Sequence, residues 1–143
     1  MTIREAISSD ADAIARLTRE LGYAADPAAI SQRLARLTDR NDQLVLVALL
    51  DEKPVGWLQA HASDVLESGF RVEIVGLIVS LQSRRLGIGR QLVQRAEQWA
   101  IALGAAAIVV RSNTARGESH RFYPALGFSA TKTQAVYRKP LAK

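Results

Sequence analysis

The chain has 143 residues, of which 48% are hydrophobic, and this is enough for one domain with its own core. It contains no cysteine, which excludes disulfides, thiolate metal sites and a cysteine nucleophile, and two histidines disfavour a metal cage built from histidine. The net charge of +5, from 19 Lys and Arg against 14 Asp and Glu, favours an anionic ligand or partner. We therefore expect a single domain over residues 1–143 with no metal site.

The sequence also lacks the usual signs of a membrane or secreted protein. No apolar run approaches the roughly 20 residues needed to cross a bilayer. The polar opening from Thr2 to Glu5 does not have the basic-then-apolar layout of a signal peptide. We expect a cytoplasmic protein with no contact to a membrane.

The first half of the chain predicts two helices followed by three strands. Ser9 to Asp12 indicates a helix start, with a capping hydroxyl followed three residues later by a carboxylate, and Asp26-Pro27 indicates a second start. An apolar run from Leu44 to Leu50, a turn, and Val55 to Ala62 predict a β-hairpin. A third strand is predicted from Arg71 to Val79.

The second half alternates helices and strands. A long amphipathic helix begins near Ile88 and ends at Gly104, a typical C-terminal capping residue. A strand from Ala106 to Val110 and a last helix stopped by Gly127 follow. The segment from Thr131 to Lys139 is predicted as the final strand.

With a first strand before the two helices, the complete order is β-α-α-β-β-β-α-β-α-β, which predicts an α/β fold with a central sheet flanked by helices. The sequence shows no internal repeat, no low-complexity stretch and no interdomain linker. The segment from Ser63 to Gly69 is the one we expect to be flexible.

A glycine-rich turn between the third predicted strand and the long helix is the strongest chemical signal. Unpaired N–H groups and the positive end of the helix dipole converge at such a turn and favour a phosphate. Gly87 and Gly89 have no side chain to block close approach, and Arg84, Arg85 and Arg90 add charge-assisted contacts. A dinucleotide fingerprint would need a third glycine where Leu92 stands, and the Walker spacing is also absent.

The pattern Arg84-x-x-Gly87-x-Gly89 follows the strand from Glu73 to Val79. This combination resembles the acetyl-CoA signature of the GNAT N-acetyltransferase superfamily. The strings Arg111 to Asn113 and His120 to Phe128 occur at the places where the family has related segments. The resemblance covers roughly residues 44–139. It implies a single GNAT-like domain with a mixed, mostly antiparallel sheet, acetyl-CoA as cosubstrate and, commonly, a homodimer.

The resemblance also implies roles for individual residues. The strand from Glu73 would carry a bulge, and its end, Leu77, Ile78 and Val79, would bind the pantetheine arm. The pyrophosphate would lie on the loop and helix start, formed by Arg84, Arg85, Leu86, Gly87, Ile88, Gly89 and Arg90. Asn113 would contact the cofactor. Tyr123 would return a proton to the departing CoA thiolate, and Glu73 would remove the proton of the amine, most simply through water.

Each of these roles has a structural alternative. In the alternative interpretation, Tyr123 only packs the last helix beside Leu126, and Glu73 is an ordinary carboxylate on a strand. His120 is interpreted as a residue that caps or packs its helix and not as a metal ligand. Two positions depart from the family pattern, because Leu81 replaces a common proline and Arg85 replaces the usual loop glycine.

The acceptor is less well defined by the sequence. The string from Asn113 to Tyr123 resembles the aminoalkylphosphonate and aminoglycoside N-acetyltransferase branch of the family, which implies a small polar amine. Acetylation of protein lysines or N-termini, or a non-catalytic acyl-CoA-binding protein, remain alternatives. A nucleic-acid-binding module is disfavoured because aromatic residues make up only 6% of the chain and the arginines gather around a glycine turn.

Overall fold

The computed structural model describes residues 1–111 and 117–141 of the chain, with the side chains of residues 117–120 excepted. Met1–Arg111 form one compact unit, and residues 117–141 belong to a second one. The strands of the first unit are β1 (Thr2–Glu5), β2 (Gln43–Leu50), β3 (Lys53–Val65), β4 (Gly69–Val79) and β5 (Ala107–Val110). Its helices are α1 (Ala11–Glu20), α2 (Pro27–Leu37) and α3 (Ile88–Leu103), and α4 (Gly117–Ala125) lies in the second unit.

The strands of the described residues form one sheet in the order β1-β2-β3-β4-β5. The first four strands pair antiparallel, and β5 pairs with β4 in the parallel direction. This confirms the predicted mixed, mostly antiparallel sheet flanked by helices. The prediction of one domain over the whole chain stays a prediction.

Helices cover both faces of this sheet. Trp57 of β3 lies on the face of α1 and α2, where Ile14, Leu34 and Val47 form a buried cluster. The next position, Gly56, points the other way, because an added Cβ there would lie 3.5 Å from both Ile88 and Leu92 of α3. Residues with odd numbers along this part of β3 therefore face α1 and α2, and even-numbered ones face α3.

Most of the predicted elements are confirmed, and α2 and α3 also begin and end where the sequence indicates. The Asp26 side chain accepts a hydrogen bond from the Ala29 amide at 3.3 Å, as expected for an N-cap before a proline. Gly104 ends α3 in the left-handed conformation, with φ of 81°. In the second unit Gly127 ends α4 in the same way, with φ of 94°.

α1 begins at Ala11, within the predicted stretch from Ser9 to Asp12, but the predicted capping hydroxyl is wrong. No side-chain hydrogen bond caps this helix, and Ser9 belongs to a short 3₁₀ turn before it. The residue that organises this region is Asp10, which is buried and accepts a hydrogen bond from the Ile7 amide at 2.7 Å. Its two carboxylate oxygens accept hydrogen bonds from Arg4 of β1 at 2.7 and 2.9 Å. A long-range partner thus determines where the helix begins.

Two further predictions were wrong. The segment from Ser63 to Gly69 is not a flexible loop, because β3 continues to Val65 and β4 begins at Gly69, with Val65 paired directly to Gly69. The final strand from Thr131 to Lys139 is also absent, and these residues are exposed without regular secondary structure. A strand needs a hydrogen-bonding partner, and side-chain alternation alone does not provide one.

The ion pair between Arg4 and Asp10 leads to a prediction about acid stability. The hydrogen bonds from Arg4 lower the pKa of Asp10 below its ordinary value of 3.8, although burial opposes them. A lowered pKa in the folded state stabilises the protein above about pH 4, and this contribution is lost as the pH falls through the folded-state value. Asp10→Asn should lower the free energy of unfolding by about 1–2 kcal/mol near neutral pH, and the difference should shrink below pH 4.

Urea unfolding of the wild type and Asp10→Asn across a pH series measures this effect. Asp42→Asn is the control, because Asp42 pairs with Arg40 in an exposed position where solvent screens the interaction. An Asp10→Asn protein as stable as the wild type at pH 7 would contradict the role assigned to this ion pair.

Candidate active site

A β-bulge in β4 shapes the candidate site. Gln59 of β3 pairs with Gly76 and the next residue, Ala60, pairs with Ile74, so Val75 is one extra residue in β4. On the other side, β5 pairs only with the segment from Arg71 to Ile74. Among the described residues, the segment of β4 after Ile74 therefore has no strand beside it on that edge. The bulge predicted for this strand is confirmed.

The bulge also decides which backbone groups point to the open edge. The Ser80 amide donates to the Val55 carbonyl at 2.8 Å, so Ser80 directs its backbone groups to β3. In an antiparallel ladder alternate residues do so. The N–H and C=O groups of Ile78 therefore point to β3, while those of Leu77 and Val79 point to the open edge. The expected backbone contacts thus fit Leu77 and Val79, and not Ile78, whose side chain is also buried.

The end of α1 holds the loop that follows β4. Glu20 accepts a hydrogen bond from the Ser80 hydroxyl at 3.0 Å and another from the Leu81 amide at 3.2 Å. These contacts join α1 to the first turn of the loop, a 3₁₀ turn over Leu81–Ser83. The start of the loop is therefore fixed by a helix on one face of the sheet.

The loop reaches α3 through two residues in the left-handed region. Arg85 has φ of 67° and Gly87 has φ of 77°. Glycine adopts this conformation without cost, whereas an arginine is strained there by about 1–2 kcal/mol. Arg85 stands where the family usually has glycine, and its φ explains why glycine suits the position. The departure from the family pattern changes the side chain but preserves the turn.

The first turn of α3 presents backbone N–H groups that the helix itself does not use. Its first hydrogen bond runs from the Gln91 amide to the Gly87 carbonyl at 3.0 Å, and no side chain caps the helix. The amides of Ile88, Gly89 and Arg90 precede this bond and have no partner within the helix. Ile88 anchors the turn with a buried side chain, while Gly87 and Arg90 are exposed. Such a terminus favours anions.

Glu73 is the buried carboxylate of this region, with 8% of its surface exposed. It lies two residues before the bulge, opposite His61 of β3, on the face of α1 and α2. Arg111 donates to one of its oxygens at 2.5 Å, and Arg71 lies 3.9 Å from the other. Glu73 is therefore not an ordinary surface carboxylate, because it is shielded from solvent and held between two guanidinium groups.

Other polar residues share this face, and sequence analysis did not single them out as a group. Gln43, His61 and Glu73 lie side by side in register across β2, β3 and β4. Gln59 donates a hydrogen bond to Gln43 at 3.3 Å. We call the following six residues the polar face: Gln43, Gln59, His61, Ser63, Arg71 and Glu73. The available signal was the alternation of polar and apolar residues from Gln59 to Ser63, but only the strand register brings the set together.

Tyr123 lies on α4 in the second unit. Its ring makes edge-to-face contacts with Phe122, at a centroid distance of 5.0 Å, and with Phe128, at 5.6 Å. These contacts fix the ring within its own unit. Asn113, the remaining predicted cofactor contact, lies outside the described residues.

Two negative findings concern the described residues alone. None of their helices is both long enough and apolar enough to span a bilayer. Among the described side chains, those of residues 1–111 and 121–141, there is also no group of three or more histidine and acidic residues arranged to hold a metal ion.

Comparison with solved structures finds the same fold in several acetyltransferases. An aminoglycoside 6'-N-acetyltransferase from Acinetobacter haemolyticus matches with a TM-score of 0.84 at 21% identity, over 99% of this chain and all of that one. A second aminoglycoside N-acetyltransferase, solved in complex with CoA, matches with a TM-score of 0.86 at 19% identity, covering 96% of this chain and 93% of that one. At these identities the likeness shows the fold alone.

A transcriptional regulator from Bacillus halodurans C-125 matches with a TM-score of 0.86 at 26% identity, over 96% of this chain and 99% of that one. Among curated proteins, the acetyl transferase GW6a from Oryza sativa subsp. japonica is 38% identical over 53% of this chain. The alignment spans only 21% of that rice protein.

The sequence pattern of the acetyltransferase (GNAT) family matches residues 11–128, which is most of the chain. The match includes the bulged strand, the loop with its two left-handed residues and α3. The chain therefore belongs to the acetyltransferase (GNAT) family.

Proposed function

We propose that this protein transfers an acetyl group from acetyl-CoA directly to the primary amine of a small polar molecule. The observation that carries the proposal is the row of backbone groups from the open edge at Leu77 and Val79 to the uncapped start of α3. The pantetheine arm pairs with the edge, and the pyrophosphate binds the amides from Arg84 to Arg90. Release of free CoA thiol, measured over a panel of amines, tests the activity.

The reaction needs no acyl-enzyme. The neutral amine nitrogen attacks the thioester carbon, a C–N bond forms, and a backbone amide near Leu77 and Val79 stabilises the oxyanion. The C–S bond then breaks, and Tyr123 gives its proton to the leaving sulfur. Glu73 accepts the proton of the incoming ammonium through water, because an amine with a pKa of roughly 10 is mostly charged at neutral pH. Asn113 contacts the cofactor near this end.

Three further features belong to the same proposal. The small polar acceptor is supported by the fold shared with aminoglycoside N-acetyltransferases. The cytoplasmic location and the homodimer are inferred from the sequence and the family. Sedimentation of the purified protein with and without acetyl-CoA tests the dimer.

The pyrophosphate site is tested by Gly87→Val. A β-branched side chain with φ near 77° strains the turn and places methyl groups beside the amides of α3. Acetyl-CoA binding, measured by calorimetry, should weaken at least tenfold, or about 1.4 kcal/mol. Gly104→Val is a matched control, because Gly104 ends the same helix with φ of 81° and also has no atom within 4 Å of an added Cβ. Equal acetyl-CoA affinities in the two variants would contradict the site.

The proton acceptor is tested by Glu73→Gln, which keeps the shape and removes the charge. Turnover at pH 7 should fall by roughly 10²-fold and recover toward the wild-type rate at alkaline pH, where the amine loses its proton unaided. The pH–rate profile measures this, and Glu97→Gln on α3 is the control. If Glu73→Gln loses stability but keeps the wild-type profile, Glu73 serves only to hold Arg71 and Arg111.

The proton donor is tested by Tyr123→Phe. This change removes the hydroxyl and keeps the ring that contacts Phe122 and Phe128. Turnover should fall by roughly 10²-fold or more with little change in melting temperature or acetyl-CoA affinity. Tyr137→Phe, in the same unit and 93% exposed, should leave all three unchanged. Full activity of Tyr123→Phe would assign the proton donor to another group.

A further inference from the structure

The polar face has more positive than negative charge around Glu73. Arg71 and Arg111 both approach the Glu73 carboxylate, so two guanidinium groups share one anion. Arg71 is 21% exposed along its side chain, and Arg111 is 55% exposed. One unit of positive charge is therefore left uncompensated within this cluster, at a place that solvent reaches through Arg111.

Arg71 also has a donor without a partner. Its Nε is buried, and no described residue accepts a hydrogen bond from it. Buried donors in folded proteins are nearly always satisfied, so an exception calls for a ligand or water that completes it. Arg71 lies opposite Ser63 of β3, two residues before Glu73 on β4 and on the same face of the sheet. The unsatisfied donor thus belongs to the polar face, beside Glu73.

A guanidinium with an unused Nε–H recognises planar or tetrahedral anions through paired hydrogen bonds. A polycationic acceptor would instead need several carboxylates, and the polar face supplies only Glu73, which is already paired. A small anionic group therefore complements this surface better than a further ammonium does. Arg71 is two residues from Glu73 on the same face. A single small molecule can therefore place an anionic group at Arg71 and its amine at Glu73.

We propose that the acceptor is an amine that also carries an anionic group, a carboxylate or a phosphonate, and that Arg71 binds this group while Glu73 serves the amine. The inference rests on the proposed function and deepens it by naming the substrate class. It distinguishes the acceptor from the polycationic aminoglycosides whose acetyltransferases share the fold.

The test compares acceptors that differ in charge, three of which have the same two-carbon spacer between the amine and the second polar group. β-Alanine, its amide, 2-aminoethylphosphonate and the polycation spermidine are assayed for thiol release with the wild type, Arg71→Gln and Arg71→Lys. The wild type should prefer an anionic amine over the amide by about tenfold or more in kcat/KM, mostly through KM. Arg71→Gln should abolish this preference, and Arg71→Lys should restore part of it. Comparison of β-alanine with 2-aminoethylphosphonate shows which of the two anionic groups the site prefers.

Arg33→Gln on the exposed side of α2 is the control and should keep the preference. Melting temperatures identify any variant that fails to fold. If Arg71→Gln does not fold, Arg71→Lys is compared with the wild type instead. A wild type that prefers spermidine or the amide overturns the inference, as does an anion preference that is the same in Arg71→Gln.

Binding separates this inference from the proposed function. Calorimetry with β-alanine and 2-aminoethylphosphonate, in the presence of CoA, measures acceptor binding without turnover. If no amine is acetylated but these ligands bind in an Arg71-dependent way, the proposed function fails and the anion site stands. If spermidine or the amide is acetylated and neither anionic amine binds, the anion site fails and the acetyltransferase activity stands. If neither anionic amine binds and no amine is acetylated, both are overturned.

Discussion

The extra residue in β4 is the constraint on which the rest of the site depends. In a regular strand, Leu77 and Val79 would direct their amides to the same neighbour as Glu73, because all three have odd numbers. Val75 shifts this alternation by one position, so that Glu73 pairs with β3 while Leu77 and Val79 face the other edge. The same shift puts Glu73 and Ile78 on one face of the sheet. One inserted residue thus accounts both for the backbone groups at the open edge and for the placement of the carboxylate.

The loop after β4 combines local strain with firm anchors at both ends. Arg85 occupies a left-handed conformation that costs an arginine about 1–2 kcal/mol. The loop keeps this shape because Glu20 holds its start through two hydrogen bonds and Ile88 is buried at its end. The strain is therefore confined to a short segment that is held at both ends. A preorganised turn of this kind loses little conformational entropy when an anion binds.

The elements that sequence analysis predicted well are those with local causes. The start of α2 follows from Asp26 and Pro27, and the loop and start of α3 follow from Gly87 and its neighbours, so the uncapped turn that we propose as the anion site could be located without a structure. The arrangement at the start of α1 could not, because it depends on the ion pair between Asp10 and Arg4 of another element. The segment from Thr131 to Lys139 failed for a related reason, since strand pairing is not encoded in the strand's own residues.

The polar face illustrates the same limit for function. Glu73 was identified through its position before the motif, but Arg71 was seen only as the first residue of a strand. Its significance depends on register, which places it beside Glu73 on the same face, and on its buried Nε, from which no described residue accepts a hydrogen bond.

The last turn of α1 connects the two parts of the site in a way that no motif records. Thr18 accepts a hydrogen bond from the Trp57 indole at 3.1 Å on the polar-face side of the sheet, while Glu20, two residues later, holds the loop after β4. Gly76 contributes to this packing, because an added Cβ would lie 2.7 Å from the Trp57 ring. Since one helix turn contacts both places, a shift of α1 moves the polar-face side of β3 and the loop after β4 together. In the proposed reaction, the distance between the thioester and the amine therefore depends on α1 as well as on the residues that react.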